Sequence, residues 1–280
     1  MFYITIYILS LFVVKYKKMK YRAARIRTGR GANTGKGACG MKKFTSAVIL
    51  AAGSSSRFGG SVKKQFAELC GVPCIVRTVR AFEAAQLIDE IILVGDAEAL
   101  HSALDWENFK KLSRIVAGGD TRQRSAVLGF DAVSKKCKYV AVHDGARCLV
   151  TPEIIDKTVS AAYKCRAAAA AHACSDTVKT ADSSCFVKRT LDRNEIWTVQ
   201  TPQVFDADVY RVSAYMAIRD GASVTDDCML AERLGFDVKL VECGAVNMKL
   251  TSPEDRELFE AIIRAREESR KLEAFGGEGK

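Results

Sequence analysis

The sequence is short of the residues that build metal centres and nucleophile triads. It has three histidines (His101, His143 and His172), and none stands at zinc-ligand spacing. Its ten cysteines, at 39, 70, 74, 137, 148, 165, 174, 185, 228 and 243, contain no Cys-x-x-Cys pair, which argues against a zinc or disulfide framework. In a chain this long, without an export signal, scattered cysteines read as small buried hydrophobes kept reduced. No Ser/His/Asp or Cys/His constellation, dense carboxylate cluster or internal repeat is visible. The opening run MFYITIYILSLFVV (1–14) falls short of the roughly 20 apolar residues that a membrane span needs. A secretory signal would carry its positive charge before such a run, not after it, and no small-residue cleavage pattern follows. With 48% apolar and 27% charged residues, the chain is neither a disordered polymer, a fibre nor a multi-span membrane protein.

Acidic residues are also missing locally. Residues 1–40 carry nine Lys and Arg and no Asp or Glu, which leaves 34 basic against 33 acidic residues over 41–280. The net charge of +10 therefore belongs to a tail, and the body has neither the basic stripe nor the aromatic platform of a nucleic-acid binder. Three readings of the tail stand: translation from Met41, an apolar-then-basic organelle-targeting extension, or a membrane-skimming anchor. Each leaves 1–40 outside the fold, with no stable membrane insertion. The expected location is cytoplasmic, or a plastid-type organelle if the extension is a genuine targeting segment. The stretch GRGANTGKG (29–37) is not a Walker A loop, because Arg30 replaces the first Gly and Gly37 replaces the Ser or Thr after Lys36.

The body alternates short apolar runs with amphipathic segments. Strands are expected at 46–51, 90–95, 113–117, 139–143, 167–173 and 237–242. Helices are expected at 74–86, 97–104, 121–134, 152–164, 206–219, 226–234 and 252–270. Continuous apolar strands joined by crossover helices give an α/β, Rossmann-like fold: a mostly parallel sheet with helices on both faces. Pro152 and Pro253 suit first helical turns, with Thr151 and Ser252 as N-cap candidates. The polar stretch 175–203 has no crossover helix and reads as a protruding β-arm. The domain is expected over 41–270, with 271–280 as a frayed tail.

In an open parallel sheet, ligands collect at the carboxyl ends of the strands. The first strand is followed there by AAGSSSRFGGSVKKQF (51–66). Glycines and small residues let backbone N–H groups approach an anion closely, and Arg57 and Lys64 place two cations inside the same loop.

This loop resembles the signature of the nucleotidyltransferases that activate sugar and polyol phosphates, and above all the 2-C-methyl-D-erythritol 4-phosphate cytidylyltransferases. The resemblance runs over about residues 44–265. It assigns Ala51, Ala52 and Gly53 to the nucleotide, and Arg57 and Lys64 to the reacting phosphates. In GGDTRQRSAVLGF (118–130), Gly119, Asp120 and Ser125 would border cytosine and ribose, with Arg122 holding the loop. In VHDGARCLV (142–150), Asp144 and Gly145 would contact the nucleotide and Arg147 would face the sugar-phosphate side. Cys148 stands where the family usually has Pro, and Gly145 where Ala is common. SDTVK (175–179) and TLDRNEIWTVQTPQ (190–203) supply Thr177 and Arg193 for the substrate, on an arm that crosses to a partner subunit in a homodimer. NMKLTSPED (247–255) supplies Lys249, near the reacting phosphates. His143 reads as a packed core histidine and Trp197 as arm packing.

The implied reaction transfers CMP from CTP to 2-C-methyl-D-erythritol 4-phosphate and releases pyrophosphate, a step of non-mevalonate isoprenoid biosynthesis. The attacking phosphate monoester has a second pKa of about 6, so it needs no general base near neutral pH. The obstacle is the meeting of two anions, which calls for positioning and electrostatic stabilisation. The resemblance implies Mg2+ or another divalent cation, held mainly by the CTP phosphates near Asp144. One alternative is a cytidylyltransferase for another polyol phosphate, such as ribitol 5-phosphate. The other is an inert nucleotide-binding fold with a nucleic-acid- or membrane-binding tail.

Overall fold

The computed structural model describes residues 43–53 and 63–276. Arg57, the phosphate loop around it and the basic tail lie outside the described residues. The first strand, β1 (Thr45–Leu50), leads to a pair of two-residue strands, β2 (Glu68–Leu69) and β3 (Val72–Pro73), and then to helix α1 (Cys74–Ala84). Three further strand–helix units follow: β4 (Glu90–Val94) with α2 (Ala97–Ala103), β5 (Leu112–Val116) with α3 (Arg122–Asp131), and β6 (Tyr139–Asp144) with α4 (Pro152–Cys165). After β7 (Ala167–Ala173) come β8 (Lys179–Ala181), β9 (Val187–Thr190) and β10 (Trp197–Asp206). The chain closes with α5 (Ala207–Arg219), α6 (Cys228–Arg233), β11 (Lys239–Glu242) and α7 (Asp255–Gly276).

Seven strands form one sheet in the order β11-β7-β10-β6-β1-β4-β5. Every pairing is parallel except those of β10, which runs antiparallel to both β6 and β7. Strand periodicity divides the core between the two faces. Ala47 and Ile49 face α1 and α4, where Ile75, Val79, Phe82, Ile155 and Val159 are buried. Val48 faces the other layer, with Val127 and Phe130 of α3 and Val209 and Tyr210 of α5. A third apolar cluster joins Leu69, Cys74, Cys148, Leu149 and Leu250 to Phe259 and Ile263 of α7. The expected N-cap at Thr151 is present: its side chain accepts from the N–H of Ile154. At the last helix, the Asp255 carboxylate instead accepts from the N–H groups of Thr251 and Ser252, and the helix starts at Asp255.

Two boundaries differ from expectation. The protruding arm is shorter than 175–203, because β10 starts at Trp197 and is buried from Gln200 to Phe205 between β6 and β7. Proline cannot donate to a ladder and argues against an interior strand, so Pro202 disguised this one. The register to β7 shifts between Val199 and Gln203, which accommodates it. What protrudes is the two-stranded ribbon of β8 and β9. At the other end α7 continues to Gly276, so 271–276 is helix rather than a frayed tail.

Candidate active site

A cleft of about 480 Å³ opens where β1, β5 and β6 end. One wall is Leu50, Ala51, Ala52 and Gly53, with Lys64 and Gln65 beside them. Gln65 is buried, and its amide donates to the Ala51 carbonyl at 2.7 Å, which ties the far end of the phosphate loop back to its start. The opposite wall is Gly119–Arg122 with Ser125. The Ser125 hydroxyl accepts from the Gly119 N–H at 3.0 Å and donates to the Thr121 carbonyl at 2.9 Å, so this turn is set by the first turn of α3. A Cβ on Gly118 would collide with that of Ala52, so the two walls can meet only with glycine at 118.

Asp144, at the end of β6, forms the floor together with Ala146 and Lys249. One carboxylate oxygen accepts from Arg122 Nε at 3.0 Å and the other from Lys249 Nζ at 2.8 Å. Arg147 Nε stands 3.9 Å from the second oxygen. Burial alone would raise the carboxyl's pKa, but Arg122, Lys249 and Arg147 override it and hold Asp144 well below the usual carboxylate range. Arg122 also reaches the buried Asp227 at 2.7 Å, and Asp227 accepts from the Tyr210 hydroxyl at 2.9 Å. Although burial opposes its charge, these two carboxylates keep Arg122 firmly cationic.

The backbone of Asp144 is pinned from below. Its N–H donates to Thr201 Oγ1 at 3.1 Å, and Thr201 Oγ1 lies 3.0 Å from His143 Nδ1. His143 Nε2 is 3.3 Å from the Arg147 carbonyl. That carbonyl can only accept, so Nε2 carries the proton and the Thr201 hydroxyl donates to Nδ1. Burial lowers the imidazole pKa from 6.5 to about 3, so His143 is a neutral structural link rather than an acid or base.

Of the residues singled out in the sequence, Ala51, Ala52, Gly53, Lys64, Gly119, Asp120, Ser125, Asp144 and Lys249 line this one cleft. Arg147 lies just behind the floor, where it donates to the Asn247 carbonyl at 3.0 Å. Gly145 does not line the cleft: its N–H donates to the Leu50 carbonyl at 2.8 Å, and its own carbonyl accepts from Thr78 at 2.9 Å. A Cβ there would come within 2.9 Å of the Leu50 carbonyl oxygen, so glycine at 145 serves strand packing. Thr177 and Arg193 are exposed on the arm and are not brought to the cleft of their own chain. Sequence reasoning missed Asp227, Tyr210 and Thr201. Tyr210 and Asp227 stand in no motif, and Thr201 sits in a stretch that reads as arm; only the docking of β10, α5 and α6 brings the three beneath Asp144.

Residues 45–265 match the family described as IspD: 2-C-methyl-D-erythritol 4-phosphate cytidylyltransferase. The chain belongs to this cytidylyltransferase family. It is 41% identical to the 2-C-methyl-D-erythritol 4-phosphate cytidylyltransferase of Caldanaerobacter subterraneus subsp. tengcongensis over 223 residues, covering 78% of this chain and 98% of that one. Identity to the enzyme of the same name from Symbiobacterium thermophilum is 41% over 225 residues, covering 80% and 94%. Among solved structures, the 4-diphosphocytidyl-2C-methyl-D-erythritol synthase of Anaerococcus prevotii superposes with a TM-score of 0.72 at 30% identity, covering 80% of this chain and 97% of that one. The cytidylyltransferase of Thermus thermophilus gives 0.65 at 30% identity, covering 79% and 99%. As a member of the cytidylyltransferase family the chain is a nucleotidyltransferase, and its cleft lies where such a fold collects ligands.

Among the described residues no three His, Cys, Asp or Glu side chains converge as a metal cage. Asp144 and the rim residue Asp120 are the carboxylates that line the cleft. Magnesium usually keeps waters and takes one or two carboxylates together with substrate phosphates, so this donor set suits a cation delivered largely by a nucleotide. No helix among the described residues is long and apolar enough to cross a membrane.

Proposed function

We propose that this cleft transfers CMP from CTP to 2-C-methyl-D-erythritol 4-phosphate, forming 4-diphosphocytidyl-2-C-methyl-D-erythritol and pyrophosphate. The observation that carries this reading is the convergence of a small-residue phosphate wall, Lys64 and the Asp144–Lys249 pair at the ends of adjoining strands. Gly119, Asp120 and Ser125 hold the nucleoside side. Lys64 and Lys249, with Arg57 from the phosphate loop, offset the charge of the α-phosphate and the departing pyrophosphate. Lys249 reaches the floor already paired to Asp144, so its ammonium is positioned before substrate arrives. A divalent cation, when bound, neutralises phosphate oxygens, and Asp144 is the carboxylate that would hold it. The acceptor's phosphate is itself the nucleophile, which agrees with a site whose histidine is buried and neutral.

The substrate side is completed by a partner subunit through the arm. Phe186 is 73% exposed and Val187 58% exposed on the ribbon, apolar surface that a second copy would cover. Thr177 and Arg193 then serve the neighbouring cleft, where they join the Arg147 that lies behind that cleft's own floor. Arg193→Ala is expected to raise the KM for the methylerythritol phosphate at least 10-fold while CTP affinity changes little; equal losses for both substrates contradict the arm's role. For the phosphate side, removal of one preorganised donor typically costs about 10²–10³ in rate. Lys64→Ala is expected to lose at least that much kcat with an unchanged circular dichroism spectrum, and near-normal turnover would refute its assignment.

A further inference from the structure

A second cavity, of about 300 Å³, lies on the other side of the segment that follows Asp144. Its walls are α1, residues 148–152 and the outer half of α7. Four guanidinium groups line it, Arg77 and Arg80 from α1 and Arg266 and Arg270 from α7, against the single carboxylate of Glu267. Arg77 is committed: it donates to the Leu69 carbonyl at 2.8 Å and stands 3.5 Å from Glu267. Arg266 donates one N–H to the Leu149 carbonyl at 2.8 Å. Arg80 and Arg270 have no hydrogen bond or salt bridge among the described residues, although Glu153 lies close enough to feel both Arg266 and Arg270. Burial and then the neighbouring Arg270 push the Arg266 guanidinium below its ordinary pKa. The positive end of α4, which begins at Pro152 in the same wall, adds to that field. The rest of the lining is apolar, with Ala81, Ala84, Leu149, Val150 and Ile263.

We propose that this cavity is a binding site, separate from the nucleotide cleft, for a small phosphate-bearing molecule with a compact apolar body. Guanidinium groups match phosphate oxygens in geometry as well as charge, and Arg80 and Arg270 have the unpaired donors to do so. The volume is at the small end of ligand pockets, which suits one phosphate and a group the size of a ring or short branched chain. The site touches the catalytic machinery through one segment: Ala146 lines the nucleotide cleft, and the Leu149 carbonyl is held by Arg266.

The test is calorimetric titration of the full chain with its nucleotide cleft filled by excess CTP and no acceptor present. Phenyl phosphate and inorganic phosphate are the two probes, equal in charge type and different in apolar body. The expected result is one further site per chain that takes phenyl phosphate more tightly than inorganic phosphate. In the double variant Arg80→Ala/Arg270→Ala, with an unchanged circular dichroism spectrum and unchanged CTP affinity, binding of both should fall at least 10-fold. No heat from either probe with the CTP-filled protein overturns the proposal, as does binding that the double variant leaves intact. Equal affinity for the two probes overturns the apolar half of the assignment.

Discussion

Asp144 shows how a single carboxylate can organise a site without doing proton chemistry. It binds Arg122 and Lys249 directly, its backbone is pinned through Thr201 and His143, and the imidazole is kept neutral by burial. The cost of that neutrality appears in stability. The folded-state pKa of His143 is about 3 against 6.5 for an ordinary imidazole, so below pH 6.5 the unfolded chain takes up a proton that the folded chain refuses. Its contribution is complete above pH 6.5 and declines by about 1.4 kcal/mol per pH unit down to pH 3. Urea denaturation of the wild type and of His143→Gln between pH 7 and pH 4.5 is expected to show a shallower loss in the variant, by about one proton's slope; parallel slopes contradict a buried neutral histidine. Asp144 acts in the same direction at lower pH. Its depressed pKa gives stability that is present above the ordinary carboxyl range and lost as pH falls below it. At this scale the sequence was informative wherever a residue sat in a motif directly after a strand, as Lys64, Ser125 and Lys249 do. It placed Thr201 only in the arm motif and did not mark Asp227, because their partners lie far along the chain and meet them only when β10 and α6 dock.

Among the elements, the parallel half of the sheet was plainly legible, because β1, β4 and β6 each carry a continuous apolar run and are buried on both faces. The alanine run of β7 is also a strand despite alanine's helix preference, since its flanking partners bury it on both sides. The one serious miss was the inner half of β10, where Gln200, Thr201, Pro202 and Gln203 look like loop and are interior strand. Their polar side chains are consumed within the protein: Gln203 accepts from the N–H groups of Asp227 and Cys228, and Thr201 pins Asp144. Helix α3 sits unusually close to the sheet through Gly129. A Cβ there would press on Val48 and come within 2.6 Å of Val94 Cγ2. Alanine would gain about 1 kcal/mol of helix propensity, but overpacking against stiff valines costs about 1–3 kcal/mol. Gly129→Ala is therefore expected to lower unfolding stability by up to about 2 kcal/mol, and a stabilised variant would contradict this close approach.

The whole molecule is a charge-management device built at the mouth of a parallel sheet. The third apolar cluster fastens α7 across the loops that carry Cys148, Leu149 and Leu250, so the last helix braces both the floor of the nucleotide cleft and the arginine-lined cavity behind it. The exposed ribbon carries the apolar surface on which the proposed pairing of two copies rests, and the body beside it is nearly neutral. On the proposed reading, Thr177 and Arg193 on the arm side decide which polyol phosphate is accepted. The central claim is tested most directly by pyrophosphate release from the full chain with CTP and magnesium, with 2-C-methyl-D-erythritol 4-phosphate and ribitol 5-phosphate supplied in parallel. Release with the methylerythritol substrate and none above background with ribitol phosphate is the predicted result. Release with ribitol phosphate alone, or with neither while CTP still binds, would contradict it.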